Sequence, residues 1–233
     1  MEQNTARQVI RSLLIATLLF AASGTAADMY VDRSIVIFEP DAGPNQDVKI
    51  SNTGDDVMYI EVEVLAVKNP GTPDEERIAI ADPRELKLLA TPSKLIIPAG
   101  GQKLIRIVNL QSSNDSERVY RINVTPIVPP LEEETSQLRI VVAYQILTII
   151  QPSTPESTLE VGRQGNKITF SNNGNTNILL SEGRQCNPGT SECEELASRR
   201  LYAGNTWTLD LPFDAPVSYS ARSFDGIKNE VFR

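Results

Sequence analysis

The chemistry open to this chain is narrow. It contains no histidine, so the commonest general base and the commonest metal ligand are both missing. Its two cysteines, Cys186 and Cys193, have six residues between them. Zinc needs more ligands at finger-like spacing, so no metal is expected. In an exported chain such a close pair forms a local disulfide, with two free thiols as the alternative. Serines are plentiful, yet a hydroxyl without a histidine or a placed lysine is a poor nucleophile. Glu61 and Glu63 fall on one face of a strand and offer paired carboxylates, the groups that cleave glycosides. The same spacing is that of an ordinary solvent face. No phosphate-binding loop, dinucleotide fingerprint, GxSxG or HExxH occurs. The composition predicts neither an enzyme nor a cofactor.

Two arginines stand out, Arg106 in KLIRIVNL and Arg121 in RVYRINVTP. A lone arginine in an apolar strand snorkels to the surface or pairs with an acid. Its other use is to hold a carboxylate in a fixed guanidinium fork, which suits a chain terminus.

The elements that must position these groups are strands. Tyr30–Phe38, Val48–Ser51, Met58–Val67, Lys87–Leu89, Gln102–Leu110, Arg118–Ile127 and Leu138–Ile150 are β-branched runs between Pro and Gly punctuation. Short strands at this spacing predict an immunoglobulin-like sandwich. Leu138–Ile150, LRIVVAYQILTII, is long and apolar on both faces. Leu138, Ile140, Val142, Tyr144 and Ile146 form one row, and the opposite row is also mostly apolar. Such a strand needs cover on both sides, as a central strand or as an edge awaiting another chain. The acidic, proline-containing stretch before it, VPPLEEET, reads as an exposed loop. Gln151–Ser157, QPSTPES, reads as a linker. Seven further strands, from Thr158–Val161 to Glu230–Phe232, predict a second, smaller β domain. The best helical candidate anywhere is Glu192–Arg200, short and polar.

The N-terminus sets the compartment. Arg7 and Arg11, an apolar run Leu13–Ala22, then small residues to Ala27 form a secretory signal peptide, cleaved after Ala26 or Ala27. The predicted division is a signal at 1–27, a first domain at 28–151 and a second at 152–233. The chain carries −8. Loss of Arg7, Arg11 and Glu2, a net +1, leaves the remainder at −9. That balance argues against nucleic acid and against anionic membranes, and no segment after the signal is apolar and long enough to span a bilayer.

Four stretches in order carry a resemblance: VDRSIVIFE (31–39), ATPSKLIIPAGGQKLIRI (90–107), ERVYRINVTPI (117–127) and SNNGNTNILL (171–180). With them the chain resembles the PapD-like periplasmic chaperones of the chaperone–usher pathway, which assemble fimbriae. CNPGTSEC and the VYRI strand are similar to the alternate branch that serves class 5, colonisation-factor-type fimbriae. The resemblance implies two immunoglobulin-like domains set at an angle around a cleft, in the periplasm, and activity without ATP. Leu138, Ile140, Val142 and Tyr144 would supply the missing strand of a fimbrial subunit, until an outer-membrane usher exchanges them. The best-known branch keeps a basic pair in the cleft. The aligned residues here are Ile35 and Leu147, neither of them basic. The carboxylate anchor therefore falls to Arg106 or Arg121, with Arg33 behind them. A secreted fimbrial subunit or adhesin is the alternative reading, and would show a single incomplete sandwich. A carbohydrate-binding sandwich would want exposed aromatics, and the chain has one Trp, Trp207.

Overall fold

The structure, a computed structural model, describes residues 29–80, 82–111, 113–127 and 141–233. The expected leader, the loop from Val128 to Thr135, and Leu138 and Ile140 lie outside them.

Strand periodicity dictates the architecture. The first ten strands are β1 (Met29–Val31), β2 (Ile35–Phe38), β3 (Asn45–Asn52), β4 (Met58–Lys68), β5 (Glu76–Ala79), β6 (Leu88–Thr91), β7 (Lys94–Ile97), β8 (Gln102–Asn109), β9 (Arg118–Ile127) and β10 (Tyr144–Ile150). They form two sheets, ordered β1-β3-β8-β6 and β2-β10-β9-β4-β5, with β7 also on β4. Alternation along each strand sends Val48, Ile50, Ile60, Ile105, Ile107, Ile122, Val124 and Ile146 into the core between them. Glu61 and Glu63 point the other way, toward solvent. Glu61 lies 4.0 Å from Lys94, and Glu63 accepts a bond from Asn123. The paired carboxylates are a solvent face.

Tyr30–Phe38 is not one strand. It breaks after Val31, because β1 pairs with β3 in one sheet and β2 runs parallel to β10 in the other. Strands β5 and β7 add to the seven expected here.

The second group is β11 (Leu159–Gln164), β12 (Lys167–Asn172), β13 (Ile178–Cys186), β14 (Cys193–Leu196), β15 (Arg199–Leu201), β16 (Thr206–Asp210), β17 (Val217–Ser223) and β18 (Gly226–Phe232). Its sheets run β11-β12-β16 and β14-β13-β17-β18, with β15 also on β13. Phe170 centres the core, with its ring 5.8 Å from Trp207, 5.4 Å from Tyr219 and 5.2 Å from Phe232. Glu192–Arg200, the helical candidate, instead supplies β14 and β15, both hydrogen-bonded to β13. Cys186 and Cys193 are direct partners on β13 and β14 and are joined by a disulfide.

Each sandwich is locked by the same device. Asn52 is buried and donates to the carbonyls of Asp56, Ile97 and Pro98, while its oxygen accepts from Gly54. Asn172 is buried and donates to Thr176 and Leu201, while its oxygen accepts from Gly174. Both sit in a Ser-Asn-x-Gly turn. A buried amide is tolerated when its donors and its acceptor find partners, and here both do.

Candidate functional site

Strand β10 is central, between β2 and β9, and its two apolar faces have separate covers. Ile146 and Ile150 join the sandwich core. Leu147 and Ile149 cluster on the outer face with Val119, Val67 and Tyr202, the last from the second group of strands. The outer face of this sheet is therefore the floor of an interface between the two domains.

Further bonds close that interface. Glu117 accepts at 2.9 and 2.8 Å from the backbone and side-chain amides of Asn177, and at 3.0 Å from the Ala203 amide. Asn175 donates to the Asp115 carbonyl, and Arg199 to the Gly71 carbonyl. Gly71 has φ +74°, and a Cβ there would lie 2.9 Å from both Tyr202 and Asn205. Only glycine allows that approach. Burial pushes the Glu117 carboxyl above its usual range, despite the bonds from Asn177 and Ala203 and the charge of Arg200.

The three candidate arginines part company. Arg106 lies on β8, in the other sheet from β9, and not one strand away from Arg121 as chain order suggests. It is exposed and holds Asp47 through Nε at 2.8 Å and an Nη at 2.9 Å. That bond holds the Asp47 carboxyl below the usual carboxylate range. Arg33 is exposed, 3.6 Å from Asp32, and adds to the field on Asp47. Both therefore belong to an acid-paired surface away from the interface.

Arg121 differs. Its register neighbours are Leu147 on β10 and Leu65 on β4, which places it on the outer face beside the Tyr202 cluster. Its Nε is buried with no hydrogen-bond partner among the described residues. It is close enough to Glu75, Tyr202 and Arg200 to act on the titration of each. Glu75 is itself engaged by the Gly71 amide and by Arg77. Ile35 and Leu147, the positions where the best-known branch is basic, are direct partners across β2 and β10.

Of the four residues expected to serve a partner, Val142 is 41 % exposed, just before β10. Tyr144 packs against the sandwich core, and its hydroxyl donates to the Met29 carbonyl at 3.0 Å. Leu138 and Ile140 lie outside the described residues. The sequence reading missed Glu117 and Arg200 altogether. Glu117 opens the ERVYRI motif as a charge directly before an apolar strand, which was the available signal. Arg200 had none, because its importance arises from a neighbouring domain.

Residues 28–156 match the family of pili and flagellar-assembly chaperones, PapD N-terminal domain. The chain belongs to that family. Among relatives of this chaperone, a CFA/I fimbrial protein of Escherichia coli is 26% identical over 198 residues, covering 82% of this chain and 76% of the relative. A CS1 fimbrial protein of Escherichia coli is 25% identical over 177 residues, covering 71% and 74%. The class 5 fimbriae chaperone CfaA superposes with a TM-score of 0.63 at 21% identity, covering 88% of this chain and 99% of that one. The SafB chaperone structure with the SafA pilin of Salmonella enterica gives 0.63 at 15% identity, covering 90% and 98%. These likenesses establish the shared fold. The family is one of periplasmic assembly chaperones and not of enzymes.

Proposed function

We propose that this protein binds fimbrial subunits in the periplasm by lending them a strand, and hands them to an outer-membrane usher. The leader 1–27 would export it, and the halves divided near residue 151 would fold as its two domains. The extended continuation of β10 toward the N-terminus carries the donor row, Leu138, Ile140 and Val142, with half-buried Tyr144 as its innermost member. Main-chain bonds would supply affinity and alternate side chains the specificity. The observation that carries this reading is exposed, apolar Val142 at the mouth of a central strand in a chain of this family. The similarity to the colonisation-factor relatives supports the class 5 branch.

Arg121 is the proposed anchor for the C-terminal carboxylate of the bound partner, in place of the basic pair absent at Ile35 and Leu147. The alternative, that the chain is itself a fimbrial building block, calls for one incomplete sandwich, whereas β1–β10 and β11–β18 make two.

The test is co-purification from periplasm of a strain expressing the cognate fimbrial subunits. Each donor side chain contributes roughly 1.5–3 kcal/mol when fully buried. Ile140→Ser with Val142→Ser should leave a folded, soluble chaperone that recovers few subunits. Unchanged recovery would sink the donor-strand reading.

A further inference from the structure

The interface holds more positive charge than its own acids neutralise, and the excess comes from both domains. On β13, Leu179 is the register partner of Arg200 on β15 and of Arg222 on β17. Directly opposed residues point to the same face of a sheet. Arg200, Leu179 and Arg222 therefore form one row on the outside of the second domain. Arg200 donates to the Asn177 side chain, the same residue that binds Glu117. This brings the row to the place where the domains meet. The outer face of the first domain meets it there, bearing Arg121 beside the Tyr202 cluster.

The acids nearby are already committed. Glu117 accepts three bonds from the second domain, and Glu75 is held by Gly71 and Arg77. Arg121 forms no salt bridge among the described residues, and its Nε is buried without a partner. Burial lowers the pKa of Arg200, and the like charges of Arg222 and Arg121 lower it further. Cations that crowd one another in a protein of net charge −8 mark a place for an anion. A guanidinium has five donors, and one bond to Asn177 leaves Arg200 others to offer.

We propose that Arg200 and Arg222 of the second domain complete, with Arg121 of the first, a single carboxylate-binding cleft. It rests on the reading of Arg121 as anchor, and it adds that the site is split between domains. A carboxylate has two oxygens. One guanidinium holds it on a pivot, and a second from the opposite wall fixes its direction. Direction matters, because a one-residue slip of the paired strand sends every side chain to the wrong face. The occupied site would also relieve the repulsion between the arginines, so carboxylate binding would tighten the domains on each other.

The experiment uses the full mature chain and two probes: an N-acetylated hexapeptide of alternating Val and Thr with a free C-terminal carboxylate, and the same peptide as its C-terminal amide. The acid should bind the wild type about tenfold more tightly than the amide, as charge-assisted bonds require. Arg121→Gln should bring that ratio to about one. Arg200→Gln should do the same, Arg200→Lys should restore part of it, and Arg222→Gln, at an exposed site, should reduce it with the fold unaffected. Loss in Arg121→Gln with a full ratio in Arg200→Gln and Arg222→Gln overturns the split site and leaves the single-residue anchor standing. A ratio of one in the wild type overturns both. If Arg200→Gln fails to fold, Arg200→Lys and Arg222→Gln decide the matter, and an unchanged ratio in both overturns the proposal.

Discussion

Arg121 and Leu147 are direct partners across β9 and β10. Leu147 occupies the position where the best-known branch of the family is basic, so the charge of this chaperone stands one strand over. An unpaired guanidinium on that face is hard to explain by stability alone. Its Nε is buried and unpartnered, a cost that a purely structural arginine avoids by finding an acid, as Arg106 does with Asp47.

Arg121→Ala is expected to abolish stable complexes with fimbrial subunits while leaving the far-UV circular dichroism and melting point of the free protein nearly unchanged. A charge-assisted contact is worth about 1.5–3 kcal/mol, more when its loss strands the partner charge. Arg106→Ala should bind subunits normally. An unfolded Arg121→Ala protein would instead make the residue a structural element of the interface.

Glu117 predicts a pH dependence of definite sign. Burial raises its carboxyl above the ordinary 4.5, so the folded chain holds that proton more tightly than the unfolded one. Its contribution to stability is therefore greatest below pH 4.5 and is lost as pH rises through the raised value. Glu75 runs oppositely. Desolvation is outweighed by the Gly71 amide and by Arg77 and Arg121, so its contribution is present above 4.5 and is lost on acidification. Comparing wild type with Glu117→Gln isolates the first effect. The melting-temperature advantage of the wild type should shrink from pH 4.5 towards 7; an advantage that grows with pH contradicts the assignment.

Asn172→Ala should destabilise the second domain by about 3 kcal/mol, because it leaves buried carbonyls at Thr176 and Leu201 and the Gly174 amide without partners. Asn52→Ala should do the same to the first. Urea titration followed by Trp207 fluorescence reports the second domain, and an unchanged midpoint for Asn172→Ala would show that water replaces the amide freely.

The disulfide closes a small hairpin, with a sequence separation of 7. Replacing Cys186 and Cys193 together by Ser should cost about 2 kcal/mol of second-domain stability. Mass spectrometry of periplasmic protein, alkylated before and after reduction, should find both thiols blocked until reductant is added.

The legible parts of this chain are those where side-chain alternation and local chemistry decide. The inward row of β9, Tyr120, Ile122 and Val124, follows from period two alone. So does the two-sided cover that β10 demands, and the cysteine pair follows from its spacing. What was not legible depends on partners distant in sequence. The break within Tyr30–Phe38 is set by which sheet each half joins. The pairing of Arg106 with Asp47 spans 59 residues. Counting by twos puts Tyr144 in the donor row, but nothing in that count shows the row entering its own core at Met29. Arg200 becomes noticeable only when another domain brings Arg121 beside it.

The twin asparagines bear on the order in which this protein can take shape. Asn52 reaches forward to Ile97 and Pro98, and Asn172 reaches forward to Leu201. Every ladder of β1–β10 closes before residue 151, and every ladder of β11–β18 opens after 158. A chain threaded across a membrane from its N-terminus can thus finish the first sandwich while the second is still unfolded in transit. The arginines that face each other between them would be assembled last, so an emerging half-molecule would carry a lending strand before it had a complete grip.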